Sequence, residues 1–285
     1  MRIANLVGRA HLVVGDGVVD VEELTAGAVG PDPTLVWGRL DELARATIGK
    51  ATPRAFSPAD LGPPSPAPRQ VVAIGLNYLA HAAEMGLEVP PMPAAFTKFP
   101  SCLSGPNAEV VLRSGTVDWE AEVVAVIGRT AHDVAVADAW DHVAGVTVGQ
   151  DLSDRSLQGR TGGQFALAKS FPGYGPTGPW VVTADELADR DNLHLTCRLN
   201  GDVVQDAWSS DLALSIPELV AQLSRVITLW PGDLIFTGTP SGTGMSRRPP
   251  RYLVEGDVLV TEIDGVGAIH NAVVAGNSYL TNPTD

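Results

Sequence analysis

The sequence predicts a mixed, β-rich fold (β/α) in which a small α+β unit precedes a larger domain. Three observations support this prediction. Gly and Pro are abundant, with 30 and 22 occurrences in 285 residues, which is typical of short strands joined by many turns. The dipeptide at 200–201, Asn-Gly between two alternating segments, is the strongest hairpin signal in the chain. A Pro- and Ser-dense stretch at 58–69 has the composition of a linker and indicates a boundary near residue 68.

Residues 1–68 are therefore predicted to form a small N-terminal α+β domain that ends in the Pro-rich linker, and residues 69–285 a second domain. Gly15-Asp16-Gly17 indicates a short hairpin. Residues 35–48 carry apolar side chains at helical spacing, which predicts a helix.

The second domain is expected to alternate short strands with a few helical segments. A helix is predicted at 217–227, where Ser215 and Pro217 form a typical start. Shorter helical segments are expected at 77–85 and 134–142. Strands are expected at 71–75, 96–98, 108–112, 117–128, 143–150, 178–182, 194–199, 203–208, 234–240 and twice within 252–274.

Composition excludes several classes of function. The formal net charge is −14 and no basic cluster is present, so we expect neither a nucleic-acid partner nor an anionic membrane surface. No stretch approaches the length needed to span a membrane, and Arg9 and His11 interrupt the N-terminal apolar residues, so no signal sequence is expected. Cys102 and Cys197 are too few for a disulfide framework, which favours a reducing, cytoplasmic location.

Residues 117–128 begin with acidic side chains and continue as a β-branched apolar run, which predicts a strand entering a buried sheet. Side chains two apart in a strand share a face, so Glu120 and Glu122 should project together. Adjacent carboxylates repel each other unless a proton or a cation lies between them, and Mg²⁺ and Ca²⁺ prefer carboxylate oxygens. Asp118 is a candidate third acid. The alternative is an edge strand with solvated glutamates, and the residues alone leave both interpretations open.

Two further groups have the residue types that catalysis needs. His81 and Glu84 are three apart in a predicted helix and so lie on one face, although such pairs are more often surface contacts. The Gly and Pro residues that flank this helix are typical of a mobile lid. Lys169 stands in an otherwise apolar run, where its alternative role is a structural salt bridge.

Other chemistries lack support in the sequence. The loop at 237–244 is Gly-rich but lacks the Lys-Ser/Thr ending of a phosphate-binding loop and is not followed by a helical pattern. No Gly-x-Ser-x-Gly elbow occurs, which argues against a serine hydrolase. The histidines never group at the spacing of zinc ligands.

Six motifs follow one another between residues 70 and 275. They are Val-Ala-Ile-Gly-Leu-Asn-Tyr-x-x-His-x-x-Glu-Met at 72–85, Asp-Trp-Glu-x-Glu-Val at 118–123, Asp-x-Ser-x-Arg-x-x-Gln at 151–158, Ala-Lys-Ser-Phe at 168–171, Gly-Pro-Thr-Gly-Pro-Trp at 175–180 and Pro-Gly-Asp-x-Ile-x-Thr-Gly-Thr-Pro at 231–240. In this order they resemble the fumarylacetoacetate hydrolase family. The sequence departs from the usual pattern at Trp119, Gln150, Ser156 and Thr243, where relatives commonly have Tyr, Asn, Asp and Val.

The resemblance implies a mixed β-sandwich roll or barrel, a homodimer, and a small-molecule keto-acid substrate bound at a divalent cation. It implies Mg²⁺, or else Mn²⁺ or Ca²⁺, as the cofactor. It assigns catalytic roles to His81, Glu84 and Lys169. The remaining positions that the resemblance assigns are the metal ligands Glu120, Glu122 and Asp151, and the substrate-binding residues Arg155, Gln158 and Thr239.

The activity that the resemblance implies is hydrolysis of a C–C bond in an acylpyruvate-like 2,4-diketo acid. The cation polarises a carbonyl and stabilises the resulting enolate, Lys169 supports the developing oxyanion, and Glu84 orients His81 so that it activates water. Decarboxylation of oxaloacetate, and isomerisation or hydration of an unsaturated keto-diacid, need the same enolate and stay open. A non-catalytic binding protein of the same fold is the remaining alternative.

Overall fold

The computed structural model describes residues 1–46 and 51–278, which fold into one large sheet, a five-stranded second sheet, a separate pair of short strands and short helices. The strands are β1 (Arg2–Leu6), β2 (Arg9–Val14), β3 (Gly17–Asp20), β4 (Leu61–Gly62), β5 (Val71–Gly75), β6 (Ala94–Thr97), β7 (Leu103–Ser104), β8 (Val110–Val111), β9 (Val117–Asp118), β10 (Ala121–Ile127), β11 (Val143–Gln150), β12 (Ser153–Asp154), β13 (Gly175–Thr183), β14 (His194–Leu199), β15 (Asp202–Trp208), β16 (Leu234–Phe236), β17 (Val258–Ile263) and β18 (Gly267–Val274). The α-helices are α1 (Val21–Leu24), α2 (Leu40–Ala44), α3 (Leu79–Glu84), α4 (Arg155–Arg160) and α5 (Ile216–Ser224).

The large sheet has eleven strands. Nine follow the order β3-β2-β1-β13-β11-β10-β16-β5-β6, while β4 pairs with β1 and β7 pairs with β13. Most neighbours are antiparallel, while β16 pairs with β5 in parallel. The order runs between two different edge strands, so within the described ranges the sheet is open and not a closed barrel. The predicted mixed, β-rich class is therefore confirmed.

The second sheet has the order β15-β14-β17-β18-β8 and covers one face of the first. Its β14–β15 hairpin turns at Asn200 and Gly201, whose φ angles of 54° and 91° fit the primed turn that Asn-Gly favours. Strand β10 is buried on both faces: Val123 packs in the core shared with the second sheet, and Val124 packs in a core with Trp37 of the N-terminal segment. This double burial explains the uninterrupted apolar run of the sequence.

The N-terminal segment extends the large sheet. Strand β1 pairs with β13 through Arg2 and Val182, and β2 and β3 continue outward from β1. The domain boundary near residue 68 stays a prediction. The helix predicted at 35–48 is a 3₁₀ turn at Val36–Arg39 followed by α2, and residues 47–50 lie outside the described residues.

Two predicted elements are wrong in detail. The strand predicted at 117–128 is divided, because β9 pairs with β12 while β10 pairs with β11 and β16, and Trp119 and Glu120 lie between the two strands. The segment at 134–142 is a 3₁₀ helix, Val136–His142, and not an α-helix. Among the described residues, no helix has the length and apolar character needed to cross a bilayer.

Candidate metal centre and active site

Three acidic side chains converge where β10 begins and β11 ends. Glu120, Glu122 and Asp151 each offer a carboxylate oxygen, and these oxygens lie within 4.8 Å of one another. The β10–β11 register pairs Ala121 with Gln150, and the Asp151 N–H donates to the Glu120 carbonyl at 2.9 Å. The three residues are 6%, 1% and 0% exposed, so the interpretation as solvated glutamates is wrong.

Cations surround two of these carboxylates. Lys169 Nζ lies 2.6 Å from Glu120 Oε2 and 2.6 Å from Asp151 Oδ2. Arg155 Nη2 donates to Glu120 Oε1 at 2.6 Å, and Lys98 Nζ donates to Asp151 Oδ1 at 2.7 Å. Burial alone would raise the pKa of Glu120, but Lys169 and Arg155 outweigh burial and lower this pKa to about 2.

Glu122 has a different environment. Its Oε2 accepts the Gly238 N–H at 2.8 Å, and no described lysine or arginine forms a salt bridge with it. Burial, followed by the charges of Asp151 and Glu120, raises the pKa of Glu122 well above its ordinary value. A bound cation would offset the burial and the like charges that disfavour the ionised form of this carboxylate. Hard oxygen donors are what Mg²⁺, Mn²⁺ and Ca²⁺ bind, so the residues fit such an ion.

Gly238 is placed by a backbone conformation that favours glycine. Its φ is +108°, and a Cβ at this position would lie 2.9 Å from Asn77 Cβ. The loop that follows β16 can therefore approach Glu122 closely enough for its N–H to donate to the carboxylate.

Asp118 fastens the centre to the loop at 242–245. Its carboxylate accepts N–H groups from Gly244 at 2.7 Å and Met245 at 3.0 Å, and Nε of Arg155 at 2.9 Å. Arg155 also donates to Gln158 Oε1 at 2.9 Å. The guanidinium that contacts Glu120 is therefore held on three sides. Asp118 supports the centre through Arg155 instead of joining the three converging carboxylates.

The predicted dyad lies on α3. His81 Nδ1 is 3.2 Å from Glu84 Oε2, and His81 is 8% exposed. Glu84 in turn accepts the Gly242 N–H at 3.1 and 3.2 Å. Asn77, just before the helix, donates to the carbonyls of Leu214 and Thr237 at 2.9 and 2.8 Å. The helix is thereby fixed at its start and, through Glu84, at its end.

A cavity of about 150 Å³ joins the dyad to the metal centre. Its polar lining includes six of the nine residues predicted from sequence: His81, Glu120, Arg155, Gln158, Lys169 and Thr239. Its remaining wall is mainly apolar, formed by side chains that include Met85, Phe96, Phe165 and Met245. Glu122, Asp151 and Glu84 do not line the cavity, but Asp151 contacts Lys169 and Glu84 contacts His81. The structure thus brings the nine predicted residues to one place, while their individual roles stay predictions.

Sequence reasoning missed Lys98. This lysine is fully buried. The sequence pattern predicts only that a strand ends at this position. It stands between Thr97 and Phe99 after an apolar segment, so the argument used for Lys169 could have identified it. Gln205 was also missed: its Nε2 donates to Thr239 Oγ1 at 2.8 Å, and its Oε1 accepts the Ala121 N–H at 3.0 Å.

Two of the departures from the family pattern are structural. Gln150 is buried behind the centre, where its Oε1 accepts the Glu120 N–H at 2.8 Å and its Nε2 donates to Thr261 Oγ1 at 2.7 Å. Trp119 Nε1 donates to the Gly242 carbonyl at 3.2 Å. Both side chains brace the backbone around the site, and neither lines the cavity.

The fold and site together define a metal-dependent enzyme in which His81, Glu120 and Lys169 line a small cavity next to a buried cluster of carboxylates. Residues 70–274 match the family model described as fumarylacetoacetate (FAA) hydrolase C-terminal, and the chain belongs to this family. The resemblance found from the motifs is therefore confirmed.

Three similar proteins illustrate the range of the family. The chain is 37% identical to the mitochondrial oxaloacetate tautomerase Fahd2a of Rattus norvegicus, over 92% of this chain and 85% of that protein. It superimposes with a TM-score of 0.92 on a Mycobacterium smegmatis protein provisionally called HpcE, at 47% identity over 97% of this chain and 100% of that one. The maleylpyruvate hydrolase of Sphingobium sp. SYK-6, in complex with manganese(II) and pyruvate, gives a TM-score of 0.81 at 32% identity over 97% and 100% of the two chains.

Proposed function

We propose that this protein is a divalent-cation-dependent enzyme that interconverts the keto and enol forms of a small 2-oxo acid of the oxaloacetate class. The observation that carries the proposal is that His81 of the acid–base pair and Glu120 of the carboxylate metal centre line the same small cavity. The identity to an oxaloacetate tautomerase over most of both chains supports it. A cavity of about 150 Å³ favours a short keto acid over a bulky aromatic one.

The ion would be held by Glu120, Glu122 and Asp151, and when bound it would supply a Lewis acid that polarises the substrate carbonyl. Side chains of this protein orient the substrate and stabilise the charge that develops on it. Arg155 and Gln158 orient the substrate from the cavity wall, and Lys169 places a positive charge near the oxygen on which negative charge develops.

His81 moves the proton. With Nδ1 donating to Glu84, Nε2 is the basic nitrogen that removes a proton from the substrate carbon next to the carbonyl. The same nitrogen then returns the proton to the oxygen, which completes the tautomerisation. The mainly apolar wall limits the water that could compete for this proton.

The second candidate is the C–C bond hydrolysis predicted from the sequence. The His81–Glu84 contact favours it as well, because the same Nε2 could remove a proton from water attacking the distal carbonyl of an acylpyruvate. The likeness to a maleylpyruvate hydrolase supports this alternative. Decarboxylation of oxaloacetate needs no attacking water and is measured in the same experiment.

The test is a pair of assays on metal-stripped protein with added MgCl₂ or MnCl₂. Decay of the enol of oxaloacetate is followed by ultraviolet absorbance against the buffer-catalysed rate, and pyruvate is measured after incubation with oxaloacetate or acetylpyruvate. Metal-dependent enol decay without pyruvate supports the tautomerase. Pyruvate from acetylpyruvate supports the hydrolase, pyruvate from oxaloacetate supports a decarboxylase, and no turnover in either assay contradicts the proposal.

A further inference from the structure

Each carboxylate of the metal centre has one oxygen that is bound by a protein donor other than Lys169. Glu120 Oε1 accepts from Arg155 at 2.6 Å, Glu122 Oε2 from the Gly238 N–H at 2.8 Å, and Asp151 Oδ1 from Lys98 at 2.7 Å. The opposite oxygens of Glu120 and Asp151 accept from Lys169, which lines the cavity. An ion that takes these two oxygens would therefore replace the contacts of Lys169 and leave those of Arg155 and Lys98 in place.

Lys98 is held by three acceptors. It is 0% exposed, and its ammonium donates to Asp151 Oδ1, to the Tyr174 carbonyl at 3.1 Å and to the Lys169 carbonyl. An ammonium has three N–H groups, so all of them are used and none is available to substrate. Lys169 differs because it lines the cavity.

We infer that Lys98 restricts Asp151 to a single metal-binding oxygen and thereby biases the centre toward Mg²⁺ and Mn²⁺ and against Ca²⁺. Calcium accepts about six to eight oxygens and commonly takes both oxygens of a carboxylate, whereas magnesium demands octahedral geometry and keeps water in its shell. A bidentate Asp151 would bring the ion against the fixed Lys98 charge. This inference rests on the metal centre of the proposed function and names the determinant of its ion preference.

Lys98 is also the donor best suited to a test, since Arg155 lines the cavity and Gly238 donates through its backbone. Lys98→Met removes the donor from Asp151 Oδ1. Lys169→Met is the matched control, because it removes the same charge from the same cluster but takes its donor from Glu120 Oε2 and Asp151 Oδ2 and leaves Asp151 Oδ1 bound to Lys98.

The measurement is isothermal titration of metal-stripped protein with MgCl₂, MnCl₂ and CaCl₂. Wild type is expected to bind Mg²⁺ and Mn²⁺ more tightly than Ca²⁺. In Lys98→Met the ratio of Ca²⁺ to Mg²⁺ affinity should rise by roughly tenfold, the lower end of what loss of a group behind a metal ligand costs. In Lys169→Met both affinities should change together and the ratio should stay within about twofold. A Lys98→Met protein with an unchanged ratio, or equal ratio changes in both variants, overturns the inference.

Wild type tests the inference even if Lys98→Met does not fold. Calcium binding at least as tight as that of both other ions overturns it, and the opposite preference supports it. The metal titrations use no substrate, so their outcomes can be distinguished from those of the activity assays. Wild type that binds none of the three ions refutes the metal centre together with the proposed function. Wild type with the expected preference but no turnover refutes the proposed activity alone.

Discussion

His81 and His194 both lie beside carboxylates, and by distance alone His194 is the better paired. Its Nε2 lies 2.8 Å from Asp206 and its Nδ1 lies 3.1 Å from Asp264, whereas His81 lies 3.2 Å from Glu84. The two pairs differ in surroundings. His194 stacks on Trp208 at the surface of the second sheet, while His81 is buried at the wall of the cavity.

The difference shows what a histidine needs besides a carboxylate partner. Both ring nitrogens of His194 are occupied, so neither can serve a substrate, and the hydrogen bond to Asp206 is the main cause that raises its pKa. His81 has one nitrogen beside Glu84 and borders a cavity that also contacts Glu120 and Lys169. A free nitrogen and a nearby charge cluster, rather than a short distance, distinguish the catalytic candidate.

Loss of one carboxylate from the metal centre near His81 should have the largest effect on turnover. Glu122→Gln keeps the size of the side chain but removes the carboxylate that forms no salt bridge with a lysine or arginine in the described part of the chain. We expect metal affinity to fall and turnover to fall by at least roughly a thousandfold, because the Lewis acid supplies several kcal/mol to the reaction. Titration with MnCl₂ and the two activity assays measure this. Normal Mn²⁺ affinity in the variant would contradict the assignment of Glu122 as a ligand.

Loss of His81 with the three carboxylates of the metal centre intact should have the next largest effect on turnover. His81→Ala is expected to lower turnover by roughly 10²–10⁴-fold, the usual contribution of a general acid–base group. Mn²⁺ binding should be unchanged, since His81 is not among the three converging ligands. His194→Asn is the control and should keep full activity. Equal losses in the two variants would show that the comparison between the histidines is mistaken.

Glu84→Gln should have a smaller effect than loss of His81. The amide can still accept the Gly242 N–H, but it no longer stabilises a positively charged imidazole. A loss of roughly tenfold to a hundredfold in turnover is expected. Full activity in the variant would leave Glu84 as a structural residue that only holds the loop.

The sequence predicted the local elements of the fold better than their connections. Alternation and the Asn200-Gly201 signal located the hairpin, and the apolar run of β10 reflects burial on two faces. The division between Val117–Asp118 and Ala121–Ile127 depends on which strands pair with each part, which no local pattern records. The addition of β1 to the large sheet is a long-range pairing of the same kind.

The same contrast between local patterns and long-range contacts applies to the candidate site. Motif resemblance located the nine residues because their spacing is local, and the structure brings them together. The apolar segment before Lys98 marks it as a candidate, but its partner Asp151 is distant in sequence, so only tertiary packing shows that this lysine is a buried cation of the metal centre. The function of Asp118 was misjudged for a related reason, since its donors include backbone N–H groups of the 242–245 loop, and any residue type supplies those.

The smallest expected effect is that of His194 on stability, and its sign follows from the raised pKa. A group whose folded pKa lies above its unfolded value stabilises the fold fully below the unfolded pKa, near 6.5 for histidine, and loses this contribution as the pH rises through the folded pKa. His194→Asn should therefore cost stability at about pH 5.5 and little at about pH 9. Its two acidic partners are 59% and 68% exposed, so solvent screening limits the cost to less than about 1 kcal/mol. Urea unfolding at the two pH values measures it, and a larger loss at the higher pH would mean that His194 is bound in its neutral form.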